Sequence, residues 1–278
     1  MIYRSKILFI LLLSIAFSYC RLPSHVSSPL VSAGDKISGL DSIVTSVPGY
    51  LKYDTFYKKY INANGMPIVS SGKVPDRALF EARNIINTML RKIPDVKNEL
   101  IKNKVRVAIM ALSELPTNIP EHRDLNSAFP ETNWDIRGRG YGATIERPAT
   151  SCAEENLLCY SNDLYYGENI LVHEFAHSIH KLGLRYTDTS FEQKLTDAYQ
   201  HAKQTGLWRR TYAISNKDEY WAEGVQDWFN VNLYAIPSNG IHNEIHTRAQ
   251  LGMYDPELFK LISLYFYEDN GVGCQTNK

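Results

Sequence analysis

Five consecutive residues of this 278-residue chain, His173-Glu174-Phe175-Ala176-His177, have types and spacing suited to metal chemistry. On a helix, positions four apart differ by about 40° around the axis, so His173 and His177 project from one face, one turn apart. Two imidazole nitrogens placed that way can reach a single Zn²⁺ at roughly 2.0–2.1 Å. Glu174 follows the first histidine and points to the side of the pair. There its carboxylate can take a proton from a water without binding the ion, which is the division of labour that hydrolysis needs. The plainer reading is a core helix that tolerates two histidines. Ile170, Leu171, Val172, Phe175, Ala176 and Ile179 do make the segment a buried amphipathic helix, but carboxylates further along the chain favour the metal.

Those carboxylates are Glu219 and Glu223, four apart within Asp218-Glu219-Tyr220-Trp221-Ala222-Glu223. Spacing places both on one helix face. One can bind the ion and the other can accept the free N–H of a ligand histidine. Trp221, Val225 and Trp228 point to a buried setting, where carboxylates left unpaired are costly. His180 is on the same face as His173 but about 10.5 Å along the axis, too far to share the ion, and is expected to be a packing or surface histidine. Position 183 is glycine, which rules out a third histidine ligand one residue pattern further on.

The elements that must position these residues are legible in part. Asp76 is expected to cap a helix to about Arg91, Asp95 to start a shorter one, and Val105–Leu112 to form a strand. Residues 115–166 look irregular, with a short edge strand at Gly142–Glu146. Helices follow: Asn169 to Leu184, one from Thr189 or Ser190 to Gly206, one capped by Asn216 and ending near Asn232, and a last one opened by Asp255-Pro256-Glu257. The order is α+β.

The two motifs together, His-Glu-x-x-His and a later Glu-x-x-x-Glu helix, resemble the gluzincin branch of zinc metallopeptidases. The long gap between them and the upstream Tyr212 look like the catalytic domain of anthrax lethal factor. The likeness covers roughly residues 165–232. It implies His173, His177 and Glu219 as ligands of one Zn²⁺ per chain. It also implies Glu174 as the general base, Tyr212 as the donor to the oxyanion, and Glu223 as the carboxylate behind a ligand imidazole. The fold it implies is a zincin-like domain, with a strand-containing upper lobe, a helical lower lobe and the zinc cleft between them. Ala153-Glu154-Glu155-Asn156 loosely resembles a loop by which some aminopeptidases hold a free amine, although a plain polar loop is the simpler reading.

Lys plus Arg and Asp plus Glu both total 30, so no basic surplus is present to bind a phosphate backbone. Nucleic acid is therefore excluded as a partner and a peptide or protein substrate is expected. Arg4 and Lys6 followed by the apolar run Ile7–Phe17 read as a secretory signal over residues 1–20, cut after Ser18 or Cys20. Residues 21–48 read as a flexible leader or short pro-region and 49–278 as the catalytic domain. No later run is long enough to span a membrane. Export implies oxidising surroundings, and Cys152 and Cys159 are the expected disulfide pair. Cys20 and Cys274 could pair only if the signal is cut before Cys20. The sequence points to a secreted zinc endopeptidase. The alternative is a secreted zinc-containing binding or toxin-like module without turnover. Substrate and oligomeric state are not legible in it.

Overall fold

The computed structural model describes residues 43–269 and 272–273, all within one compact unit. The apolar N-terminal segment, Cys20, Cys274 and most of the expected leader lie outside the described residues. Residues 43–48 are described, and Thr45 already pairs with Tyr60 at the edge of a sheet.

That sheet has four strands in the order β1 (Lys59–Ala63), β2 (Met66–Ser70), β3 (Arg106–Met110) and β4 (Ala149–Ala153). β1 and β2 form an antiparallel hairpin. Its two-residue turn is Asn64-Gly65, both at positive φ, as a tight turn between twisted strands requires. β2, β3 and β4 are parallel. α1 (Asp76–Leu90) and α2 (Pro94–Lys102) make the crossover from β2 to β3. α3 (Leu125–Ala128) and α4 (Trp134–Arg137) lie in the long connection to β4. The rest is helical: α5 (Glu154–Leu157), α6 (Ile170–Ile179), α7 (Arg185–Thr187), α8 (Phe191–Thr205), α9 (Lys217–Trp228), α10 (Arg248–Tyr254) and α11 (Pro256–Ser263). A π-helical turn over His180–Leu184 joins α6 to α7. No helix among the described residues is long and apolar enough to cross a membrane.

Side chains alternate across the pleat. Ile68, Val107, Ile109 and Cys152 face the main core beneath α1 and α6. Val69, Ala108, Met110, Ala149 and Ala153 face a smaller cluster with Tyr57 and Ile119. β4 is buried along its whole length.

Several local expectations are corrected. Asp76 is the first residue of α1 rather than its cap. Pro75 holds the cap position, and the Asp76 carboxylate pairs with Lys59 at 2.6 Å. Gly142–Glu146 is not a strand. Only Tyr141 bridges to Ser151, after which the chain folds back through Thr144 N–H to the Arg147 carbonyl at 2.9 Å. The neighbouring strand is β4, five small residues in the sequence Ala-Thr-Ser-Cys-Ala. The Cys152–Cys159 bridge is not formed. The register of β4 turns Cys152 into the core as a free, fully buried thiol, and burial pushes that thiol up. Cys159, beyond α5, is disulfide-bonded, but not to Cys152.

α9 packs between α6 and α11, and Gly224 is where α11 comes closest. A Cβ there would stand 2.5 Å from Leu258 Cδ2 and 3.0 Å from both Leu258 Cγ and Ile262 Cδ1. Gly224→Ala is expected to cost about 1–3 kcal/mol, the usual range for overpacking a filled core. Urea unfolding followed by circular dichroism measures it, and a change within about 0.5 kcal/mol would mean that α11 can move aside freely.

Candidate metal centre

α6 begins because Asn169 caps it, its side chain accepting from the Val172 N–H at 3.0 Å. The phase so set turns His173 and His177 to one buried face. Their Nε2 atoms are 3.1 Å apart. α9 begins at Asn216, whose side chain accepts from the N–H groups of Asp218 and Glu219. Glu219 thus falls in the first turn. Its Oε2 lies 3.0 Å from His173 Nε2 and 3.1 Å from His177 Nε2.

Donors of a tetrahedral zinc at 2.0–2.1 Å stand about 3.3 Å from one another. The three atoms observed are spaced nearly so, and two imidazoles with one carboxylate are a donor set that zinc accepts. Among the described residues this is the group of histidine and acidic side chains close enough to hold an ion. Burial disfavours charge on His173, but the Glu219 hydrogen bond and the carboxylates of Glu174 and Glu223 outweigh it and raise its pKa to about 10. Glu219 is held below the usual carboxylate range, because its bonds to both histidines exceed the cost of its burial.

The partner behind His173 differs from the expected one. Its Nδ1 is 3.5 Å from Glu223 Oε1 but donates to Gln226 Oε1 at 2.8 Å. Gln226 Nε2 in turn donates to the Asn169 carbonyl at 3.2 Å. Sequence reasoning overlooked Gln226, although Glu219, Glu223 and Gln226 recur at the spacing of one helix face. Glu223 accepts from Asn232 at 3.1 Å, and burial raises its pKa. His180 is removed from the metal donors and pairs with Glu192 at 2.8 Å.

The donors open onto a cleft of about 590 Å³, which Glu174 and Tyr212 also line. The Tyr212 ring is stacked on that of His173. Its hydroxyl is pushed up to about 12 by burial and by the Glu219 carboxylate, so it stays protonated at neutral pH. One wall is the glycine-rich stretch 138–142, pressed against α6. A Cβ on Gly140 would stand 2.6 Å from Ile170 Cγ2 and 2.7 Å from the Ser151 carbonyl oxygen, and one on Gly142 would stand 2.9 Å from the His177 Cβ. Glu154 and Glu155 do not reach the cleft. Glu154 accepts from the Leu112 N–H at 3.0 Å, and Glu155 pairs with Arg139 at 2.6 Å.

No family model matches the chain, and no curated protein matches it. Among solved structures it is similar to the PRO-PRO endopeptidase (PPEP-2) from Paenibacillus alvei. That alignment covers 72% of this chain and 97% of that one, at 18% identity and a TM-score of 0.46.

His122, also in the cleft wall, gives a pH prediction. It is buried, with Nε2–H donating to the Ala149 carbonyl at 3.3 Å and Nδ1 without a partner. Burial lowers its pKa to about 4. The unfolded chain therefore binds this proton first, so the stability due to the neutral ring is full above about pH 6.5 and is lost as pH falls toward and through 4. The span is on the order of 3 kcal/mol. Urea midpoints between pH 7 and 4 should fall, and fall less in His122→Phe. Parallel curves would remove His122 from the account.

Proposed function

We propose that this chain is a zinc-dependent peptidase in which His173, His177 and Glu219 hold the ion, Glu174 is the general base and Tyr212 donates to the developing oxyanion. The observation that carries this reading is the three-donor cluster at 3.0–3.1 Å spacing, opening onto a cleft that Glu174 shares. When bound, zinc supplies a Lewis acid and makes a nearby water easier to deprotonate. The chain's own residues do the rest. Glu174 takes the proton of the attacking water and returns it to the leaving amine. Tyr212, held as a neutral hydroxyl, donates to the carbonyl oxygen as it gains charge, an effect worth up to about 3–4 kcal/mol at comparable sites. Gln226 fixes the tautomer of His173, with Nδ1 protonated and Nε2 free for the ion, and Glu223 adds negative charge behind it. The substrate is a peptide or protein. The apolar run Ile7–Phe17 supports export as the setting.

The variants should differ in kind. The purified protein should carry about one zinc per chain, lost to chelator together with activity. Glu219→Ala should lose zinc affinity most, while Gln226→Ala and Glu223→Ala weaken it about 10–100-fold. Glu174→Gln should retain zinc and lose nearly all turnover, since an amide cannot accept the proton. Metal analysis with a peptide-library digest reads all of these. Near-normal cleavage by Glu174→Gln would remove it as the base, and zinc kept by Glu219→Ala but lost by Glu223→Ala would reverse the two roles.

A further inference from the structure

Beside the metal donors, three polar side chains of the same cleft face one another without bonding. His242 Nε2 is 3.8 Å from Glu168 Oε1, and its Nδ1 is 3.9 Å from Glu223 Oε2. Both gaps are too long for hydrogen bonds. The imidazole is 5% exposed, yet its Nδ1 has no hydrogen-bond partner. A buried nitrogen left in that condition calls for an occupant of the space it faces. The two carboxylates near the ring decide the sign of that occupant. Among the described residues neither Glu168 nor Glu223 pairs with a lysine or arginine. The cations of the cleft wall are engaged elsewhere, Arg139 with Glu155, Arg147 with Asp124 and Lys181 with Asp218, and Arg137 is stacked over Trp134.

The groups are also held in place before anything binds. The Glu168 backbone is fixed at both ends, its N–H donating to the Tyr165 carbonyl and its own carbonyl accepting from Asn156. The loop that carries His242 is tied to the Tyr212 segment, where the Tyr212 N–H donates to the Ile241 carbonyl at 2.8 Å. Two preorganised carboxylates beside an unsatisfied imidazole nitrogen favour a cation that donates hydrogen bonds, because such a ligand satisfies the nitrogen and offsets buried charge.

We infer that Glu168, His242 and Glu223 form a subsite that binds an ammonium or guanidinium group of the substrate. This rests on the peptidase reading and adds the charge class of the substrate to it. The group comes either from a lysine or arginine side chain or from the α-ammonium of a chain start. Glu168 is the residue to vary, since Glu223 also stands behind His173.

The test is a digest of a mixed peptide library by the zinc-loaded full chain, with free and with acetylated N-termini, followed by kinetics on one cleaved sequence. Wild type is expected to favour a basic residue at one fixed distance from the cut bond, or a free N-terminus if the α-ammonium is the ligand. Acetylation separates these two sources. In Glu168→Gln the ratio of kcat/KM for the lysine peptide to that for its norleucine isostere, or of free to acetylated, should fall about tenfold or more. Glu168→Ala is the second variant, with circular dichroism and metal content checked for both. The same peptides should bind Glu174→Gln with a matching difference in Kd, which a double variant with Glu168→Gln removes. Equal ratios in wild type and both Glu168 variants would leave the gaps to solvent and overturn the subsite. A wild type that cuts no peptide would instead remove the peptidase reading itself.

Discussion

Donor atoms from two helices more than forty residues apart in sequence must meet within a few tenths of an ångström to hold an ion, so the crossing of α6 and α9 is the constraint on which the centre rests. Trp221 fixes it. Its indole N–H donates to the Ala176 carbonyl at 3.0 Å, between the two histidines of α6. Its ring is wholly buried, edge-on to Phe191 and beside Phe266. Every residue of α9 from Tyr220 to Trp228 is buried, so the helix can neither roll nor slide without opening the core. The face of α9 that meets α6 carries Glu219, Glu223 and Gln226 in succession, which is why one crossing supplies both a donor and the groups behind it.

The sheet serves the same end from the other side. Ser178, on α6, shares a hydrogen bond with Thr150 of β4 at 2.6 Å and accepts from the Ala143 N–H at 3.0 Å. β4 in turn holds Tyr141 through Ser151. α6 is thus clamped between α9 and the glycine-rich wall, and close approach of that wall requires Gly140 and Gly142. The cost of this arrangement is a dense set of buried acids. The half-buried Glu219 and the buried Glu223 and Asp227 lie along one helix, and Asp227 is raised well above its ordinary value by burial. Such groups are tolerable when a cation stands among them and costly otherwise. Protons and metal compete for the same histidine nitrogens, so binding of the ion and stability of the fold are coupled.

Features governed by neighbouring residues were legible in the sequence. Asn216 caps the helix it was expected to cap, and the helices expected to start at Asn169 and Asp255 do start there, since capping is a local contest between a side chain and the next few N–H groups. The histidine pair follows from helical period alone. What depended on partners distant in sequence was not legible. β4 reads as small and weakly apolar, and becomes a strand only because β3 lies beside it. The cysteine pairing suggested by nearness in sequence failed because β4 points Cys152 into the core. Gln226 carries no charge to mark it, and its role exists only once α9 lies across α6. The Asn64-Gly65 turn was a local signal that sequence reasoning did not use.

The geometry also bears on the choice between a metal kept for chemistry and one kept for architecture. A structural zinc is closed by four protein donors. Here three donors converge among the described residues, and their free side faces a cleft rather than a packed core. The core nearby is already supported without an ion: Trp221, Phe175 and Phe266 are fully buried, and the helix crossing is fixed by the Trp221 hydrogen bond. A purely architectural ion would have no use for Glu174, which lines the cleft one residue from His173. Nor would it need a tyrosine stacked on a ligand imidazole with its hydroxyl held protonated. In the proposed reading Glu174 and Tyr212 supply a proton acceptor and a hydrogen-bond donor beside the ion, and that pair is what the hydrolysis of an amide asks of a protein.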